Sequence, residues 1–231
     1  MLHISCGRWS TDAEALLFDL DGTLVDTSQA VIGSWRAAAA ELGLPFAAFS
    51  PYVHGIPATE VLAKVAPTLS AAGRRDVAQA VLARQASPDA PVTLVPGAAA
   101  LLSRLPAHGW AVVTSGDARL AAASLSKTGL PSPPVIVTAD DVTAGKPDPQ
   151  PYLRAAELLG VDVRRCAAVE DSPAGLRSAL AAGLAVIAVT TTHTRQQLTG
   201  AACHVPDLTG VSCAESRESR PRQRGDRSGL L

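Results

Sequence analysis

Apolar residues recur along this chain in two rhythms. Residues 15–20 form an apolar run that breaks at Asp21-Gly22, which predicts a buried strand followed by a turn. From 28 to 91 the spacing turns helical. Segments 28–42, 59–65 and 74–85 each predict a helix, and no strand lies among them. The stretch is bounded by Asp26-Thr27-Ser28 and by Ser87-Pro88-Asp89-Ala90-Pro91, and reads as an inserted all-α helical cap.

Beyond Pro96-Gly97 the texture alternates. Helices are predicted at 98–105, 117–127, 149–159 and 173–182, with short apolar strands at 110–113, 135–137, 166–169 and 185–189. Apolar strands alternating with helices predict an α/β fold whose parallel sheet is covered on both faces. The expected organisation is a core of residues 13–27 and 92–211, a cap of 28–91, and a tail of 212–231. That tail is rich in Arg, Ser and Glu, and its composition predicts a disordered, solvated segment rather than an RNA contact. The first twelve residues are left open between an ordered extension and a misassigned start. No internal repeat occurs.

Composition narrows the picture. The 231 residues are 47% hydrophobic but only 3% aromatic, so the core is expected to be built from Ala, Val and Leu. A net charge of −1 provides no electrostatic footprint for nucleic acid or an anionic membrane. No apolar run approaches the roughly 20 residues of a membrane span, and residues 1–12 lack the apolar centre of a secretory signal. Cys6, Cys166, Cys203 and Cys213 form no CxxC pair and read as free thiols in a reducing cytosol, which points to a cytoplasmic protein. Only Lys64, Lys127 and Lys146 are lysines among the 20 basic residues.

In a parallel sheet the ligand binds beyond the carboxyl ends of the strands, and four predicted strands end in polar groups. The first delivers Asp19 and Asp21, which strand alternation places on one side. Two close carboxylates repel, so a cation joins them or one keeps a proton; a solvated Asp-Gly turn is the plainer alternative. The second ends in Thr114-Ser115-Gly116, suited to an anion at a helix start and equally to a plain N-cap. Lys146, in Gly145-Lys146-Pro147-Asp148-Pro149, would neutralise the carboxylates and a phosphate, or face solvent. The fourth strand ends in Glu170-Asp171-Ser172-Pro173. These two acids could partner the helix dipole or, with the first strand's, supply the hard oxygens that magnesium takes.

Taken in series, DxDGTLxD, TSG, GKPDP and EDSPAG resemble the haloacid dehalogenase superfamily in its phosphatase branch, over residues 15–205. The resemblance implies a Rossmann-like, doubly wound core, and a helical cap inserted after the first motif is similar to one cap class of that family. It implies Asp19 as the nucleophile that forms an aspartyl-phosphate and Asp21 as the general acid and then base. It implies Mg²⁺ held by carboxylates of Asp19, Glu170 and Asp171 and by the Asp21 carbonyl. Thr114, Ser115 and Gly116 would hold the transferring phosphoryl group, and Lys146 would neutralise it.

Within the family, Asp21 argues against dehalogenation, whose enzymes lack this second carboxylate. Lys64 is the only cap lysine and lies in no motif of the phosphonate-cleaving branch, so it reads as a surface residue. Mutases resembling β-phosphoglucomutase are the serious alternative. They carry a His and an Arg in places that correspond here to Val31 and to Ile56-Pro57-Ala58, and neither place offers charge. The motif surroundings resemble small sugar phosphatases acting on hexose, deoxyhexose, hexitol or glycerol phosphates. His54 and Glu60 are then candidate substrate residues of the cap, or else a loop end and a helix start. Pro57 stands where relatives acting on glycerol phosphate often have Arg. The expected protein is a monomeric Mg²⁺-dependent phosphatase of a small sugar or polyol phosphate, with no nucleic acid or membrane partner. A binding protein that kept the fold and lost catalysis would be expected to lack one of these charges, and none is missing.

Overall fold

The computed structural model of the chain describes residues 1–53 and 56–215. It opens with a hairpin, β1 (Leu2–Cys6) and β2 (Trp9–Ala13), and enters the core on β3 (Ala15–Phe18). A two-residue strand, β4 (Val25–Asp26), leads into the helices α1 (Ser28–Glu41), α2 (Ala58–Val65) and α3 (Ala71–Gln85). The chain returns on β5 (Thr93–Leu94), then runs through α4 (Ala98–Leu102), β6 (Trp110–Val113), α5 (Ala118–Ser126) and β7 (Ile136–Val137). It ends with α6 (Gln150–Leu159), β8 (Cys166–Glu170), α7 (Pro173–Ala181), β9 (Ala185–Val189), β10 (Cys203–Val205) and β11 (Val211–Glu215).

Six strands form one parallel sheet in the order β10-β9-β8-β3-β6-β7. The central strands are buried on both faces because their sequences, such as Ala15-Leu16-Leu17-Phe18, carry no charged position before Glu170 at the end of β8. Side chains alternate between faces. Leu16, Phe18, Val112 and Val169 pack with residues of α4, α5 and the hairpin. Leu17, Val113 and Ala168 pack with α6 and α7 on the other side. This is the expected α/β, Rossmann-like arrangement, and it directs the carboxyl ends of β3, β6, β8 and β9 to one edge.

The three helices between β4 and β5 have a core of their own, with Trp35, Phe49, Val61, Leu62 and Val81 buried together. The Trp35 and Phe49 ring centroids are 5.6 Å apart. Two antiparallel residue pairs, Val25↔Leu94 and Asp26↔Thr93, join the outgoing and returning strands of the cap. Lys127, capping α5, donates to the carbonyls of Ser87 at 2.6 Å and Ala90 at 3.1 Å, tying the returning linker to the core.

Two expectations need correction. The tail expected to be disordered from Ser212 begins instead as strand: Val211–Glu215 pairs antiparallel with β1, giving a small sheet β11-β1-β2. Its composition is polar, but Val211 and Cys213 alternate inward against exposed Ser212 and Ala214, a period-two signal that composition averages away. The rest of that tail, 216–231, lies outside the described residues. Nor are all four cysteines free. Cys6, ending β1, and Cys203, opening β10, form a disulfide across 197 residues of sequence, while Cys166 and Cys213 are free and buried. No spacing rule reaches so far. The pair is brought together by the small sheet packing against the edge of the large one.

Candidate active site

The end of β3 supplies the first acids. Asp19 is 7% exposed, and its amide is held by the Val169 carbonyl of the neighbouring strand. The chain then turns sharply. The Leu20 carbonyl accepts from the amides of Leu24 and Val25 at 2.9 and 3.0 Å, with Leu20 and Leu24 fully buried beneath. Gly22 makes the turn at φ +94°, and a Cβ there would sit 2.8 Å from both Asp171 Cγ and Thr192 Cγ2. Only glycine lets the first strand's turn close against the fourth strand's acid.

Lys146 reaches in from the loop before α6 and spends its whole ammonium. It donates to Asp19 Oδ1 at 2.7 Å, Glu170 Oε1 at 2.6 Å and the Val113 carbonyl at 2.8 Å. The Tyr152 ring lies with its centroid 5.2 Å from Nζ. Burial opposes the ammonium's charge, but Asp19 and Glu170 outweigh it and raise its pKa. Lys146 stays protonated as a fixed counter-charge.

Burial pushes the Asp19 carboxyl up to about 7; Lys146 works against that shift, while Glu170 and Asp21 add to it. Asp21 is raised as well, again by burial, with hydrogen bonds from Thr27 Oγ1 at 3.1 Å and Thr114 Oγ1 at 3.4 Å opposing. A carboxyl that keeps its proton more readily than usual suits an acid catalyst. Thr114, at the end of β6, also accepts from the Gly116 amide at 3.0 Å. The N-cap of α5 is Asp117, whose carboxylate accepts from Leu120 N at 2.7 Å. Capping is thus done one residue beyond Thr114-Ser115-Gly116, and all three border the cavity described below.

Asp19, Glu170 and Asp171 each bring a carboxylate oxygen within 4.8 Å of the others. Asp19 Oδ2 is buried with no hydrogen-bond partner. Burial, then repulsion from Asp19 and Glu170, pushes Asp171 well up. Crowded, desolvated oxygen donors with one orphan among them fit a hard divalent cation. Glu170 differs from its neighbours. Oε1 accepts from Lys146 and from Tyr152 OH at 2.8 Å, and Oε2 accepts from the Asp171 amide, the Ser172 amide and Ser172 Oγ at 3.1–3.2 Å. Five donors fill the roughly four lone-pair positions of a carboxylate. Asp19 and Asp171 are left as the carboxylates with capacity to spare.

Sequence reasoning missed several neighbours. Thr192 donates to Asp171 Oδ2, and His193 Nδ1 lies 3.1 Å from the Asp171 carbonyl. Both follow β9, where Thr190-Thr191-Thr192-His193 closes an apolar strand as visibly as the other polar ends do. Tyr152 gave no such signal, being one apolar-facing position of a helix.

A cavity of about 400 Å³ lies over these groups, bordered by Asp19, Asp21, Thr114, Ser115, Lys146 and Asp171 below and by cap residues above. Glu60 is exposed on α2 and does not border it. His54 lies outside the described residues. Lys64 is on the surface, 6.0 Å from the Tyr52 ring centroid.

Comparison with known proteins bears directly on this site. Residues 13–183 match the family model for haloacid dehalogenase-like hydrolases. Hexitol phosphatase A of Escherichia coli is 42% identical over 182 residues, covering 76% of this chain and 82% of that one. The validoxylamine A 7'-phosphate phosphatase of Streptomyces hygroscopicus subsp. limoneus is 35% identical, covering 84% and 94%. Among solved structures, CbbY from Rhodobacter sphaeroides in complex with phosphate superimposes with a TM-score of 0.73 at 28% identity, over 85% of this chain and 95% of that chain. With the parallel sheet, the four strand-end motifs and the buried Lys146–Asp19 pair in place, the chain belongs to the haloacid dehalogenase-like hydrolases and, within them, to the phosphoric monoester hydrolases.

Proposed function

We propose that this protein is a Mg²⁺-dependent phosphatase that hydrolyses a small sugar or polyol phosphate through an aspartyl-phosphate on Asp19. The observation that carries the reading is Asp19 itself: a buried carboxylate at the cavity, paired with Lys146 on one oxygen and unpartnered on the other. The substrate class follows the relatives, which include a hexitol phosphatase, two 2-deoxyglucose-6-phosphate phosphatases of Saccharomyces cerevisiae and a glycerol-1-phosphate phosphohydrolase.

In this mechanism an Asp19 oxygen attacks phosphorus in line with the departing alkoxide, and Asp21 gives that alkoxide its proton. Asp21, now ionised, takes a proton from water, which attacks the phosphorus and frees Asp19 and inorganic phosphate. Thr114 orients Asp21 through its hydroxyl; the Ser115 amide would hold the phosphoryl oxygens, and Lys146, its N–H groups spent on Asp19, Glu170 and Val113, would neutralise them through its charge alone. Asp19, Asp171 and the Asp21 carbonyl would hold Mg²⁺, with Glu170 anchoring Lys146 beside them. The ion supplies charge neutralisation for an anionic nucleophile meeting an anionic ester.

Hydrolysis is favoured over a mutase because, among the described residues, no charged side chain of the cap borders the cavity. A second phosphate would find no counter-charge there. Val31 and Ile56 stand at the wall instead.

We place the monomer in the cytoplasm because doubly charged sugar phosphates do not cross hydrocarbon unaided; the Cys6–Cys203 disulfide removes the free-thiol argument for that compartment. Among the described residues no helix is long and apolar enough to span a membrane. The test of the whole reading is phosphate release from 4-nitrophenyl phosphate, with and without Mg²⁺. Asp19→Asn is expected to abolish it with the fold retained; substantial residual turnover would remove Asp19 from the nucleophile's role.

A further inference from the structure

The polar segment that closes β9 fastens itself to the site at three points. Thr191 Oγ1 donates to the Gly22 carbonyl, the next along the chain from that of Asp21. Thr192 Oγ1 donates to Asp171 Oδ2. His193 Nδ1 lies 3.1 Å from the Asp171 carbonyl and, since a carbonyl only accepts, that nitrogen carries the proton. The same Nδ1 is 2.9 Å from Thr192 Oγ1. Thr192 therefore accepts from the ring and keeps its own hydrogen for Asp171. The Asp171 carbonyl is 3.2 Å from that hydroxyl, but an ionised carboxylate is the stronger acceptor.

The two oxygens of Asp171 are thereby made unlike. Oδ2 is boxed in, with Thr192 donating to it and the Gly22 turn so close that a Cβ on that residue would overlap it. Among the described residues no hydrogen bond reaches Oδ1, although Asp171 is 3% exposed and borders the cavity. Asp171 also stands in a crowd, one of its oxygens lying within 4.8 Å of oxygens of Asp19 and Glu170. Like charges at that range repel, so a carboxylate free to rotate would swing away from the other two. Thr192 opposes that rotation from outside the cluster.

We propose that Thr192 is a positioning residue for the divalent cation: its hydroxyl pins Asp171 Oδ2 and leaves Oδ1 as the oxygen that Asp171 offers the ion. Thr191 and His193 fasten the turn on either side, one to the loop after β3 and the other to the backbone after β8. The inference rests on the Mg²⁺-dependent reading above and adds to it a residue that acts through Asp171. Hydrogen bonds that orient a ligand in this way change metal affinity by about 10–100-fold when removed. The hydroxyl orders the carboxylate before the ion arrives, so its loss falls on ion binding and not on the chemical step once the ion is in place.

Two variants test this in the full chain. Thr192→Val keeps the branched shape without the hydroxyl, and Thr192→Ser keeps the hydroxyl. Calorimetric titration with Mg²⁺ is expected to show Kd raised about tenfold or more in Thr192→Val and within about threefold of wild type in Thr192→Ser. With 4-nitrophenyl phosphate as substrate, the Mg²⁺ concentration for half-maximal rate should rise by the same factor in Thr192→Val, while kcat at saturating Mg²⁺ stays within a few-fold. Urea midpoints measured without metal report on folding. A lowered midpoint with an unchanged Mg²⁺ Kd would make Thr192 merely structural and overturn the inference. So would an equal loss of affinity in both variants, which would place the effect elsewhere than on the hydroxyl. If Thr192→Val does not fold, Thr192→Ala is titrated in its place with the same expectation. A wild type that binds no Mg²⁺ and releases phosphate without it overturns the metal-dependent reading, and the inference with it. Wild-type binding with no difference among the variants overturns the inference alone.

Discussion

Gly22→Ala separates two costs that the structure places at one atom. The first is backbone strain. At φ +94° an L side chain is disfavoured by about 1–2 kcal/mol. The second is collision, because the new Cβ would lie 2.8 Å from Asp171 Cγ and from Thr192 Cγ2, where carbon pairs normally rest near ~3.5–4.0 Å. Asp171 and Thr192 are hydrogen-bonded to each other, so they give way together, by roughly 1 Å.

Gly160→Ala provides the control. It sits at φ +71° after α6 with nothing within 4 Å of its added Cβ, so it bears the strain without the collision. Urea denaturation is expected to show Gly160→Ala destabilised by ~1–2 kcal/mol and Gly22→Ala by about 1–3 kcal/mol more, the collision adding to the strain. Only Gly22→Ala is expected to lose Mg²⁺ affinity by calorimetric titration, and to lose kcat/KM on the order of 10²-fold as a reacting group is misplaced by an ångström. If Gly22→Ala binds Mg²⁺ and turns over like Gly160→Ala, the claim that this turn sets the position of Asp171 is wrong.

Tyr152→Phe keeps the ring beside Lys146 and removes one donor from buried Glu170, so urea melts are expected to show a loss of about 1.5–3 kcal/mol; stability within 0.5 kcal/mol of wild type, on the order of an exposed substitution, would contradict that. Cys6→Ser opens the long disulfide loop and is expected to cost about 2–5 kcal/mol. Dithiothreitol should bring the wild type down to the variant's level and leave the variant unmoved. Mg²⁺ affinity, titrated calorimetrically from pH 5.5 to 8, should fall about tenfold per pH unit below 7 and level off above it, because the ion must displace the proton that burial keeps on Asp19; a flat profile below 7 would refute this. The sign for stability runs the other way in the metal-free protein. The folded state holds these protons more tightly than the unfolded chain, so urea midpoints should drop as pH climbs from the usual carboxylate range through 7.

What the sequence made legible was the periodic and the local. Runs such as Trp110–Val113 and Ala185–Val189 announce buried strands because nothing polar interrupts them, and the acids at the end of β3 stand out against that background. The site followed from the topology, since parallel strands deliver their carboxyl ends to one edge. Three things escaped for different reasons. β11 is three buried-or-exposed alternations inside a stretch judged by its overall polarity. The Cys6–Cys203 bridge depends on two sheets meeting, which no local pattern encodes. Thr192 and His193 obey the strand-end rule that found Asp19 and Glu170, and went unread because hydroxyls and an imidazole after β9 carry less formal charge than paired acids. The saturation of Glu170 by five donors is legible only in three dimensions, where Tyr152 and the turn at Ser172 converge on it.

The bridge between β1 and β10 also decides how the molecule would bear tension. Residues 6–203 form a covalent ring, and every residue bordering the catalytic cavity lies on it. Outside the ring are the start of β1, the last residues of β10 and β11, with Leu2 paired opposite Glu215 so that the described ends leave the sheet side by side. A pull on those ends would unzip β11 from β1 one pair at a time, the weak direction for a ribbon. It would then reach Cys6 and Cys203 and pass through their sulfurs. The cap linkers, Lys146 and the acids would sit on a slack loop, shielded from load for as long as the bridge is oxidised.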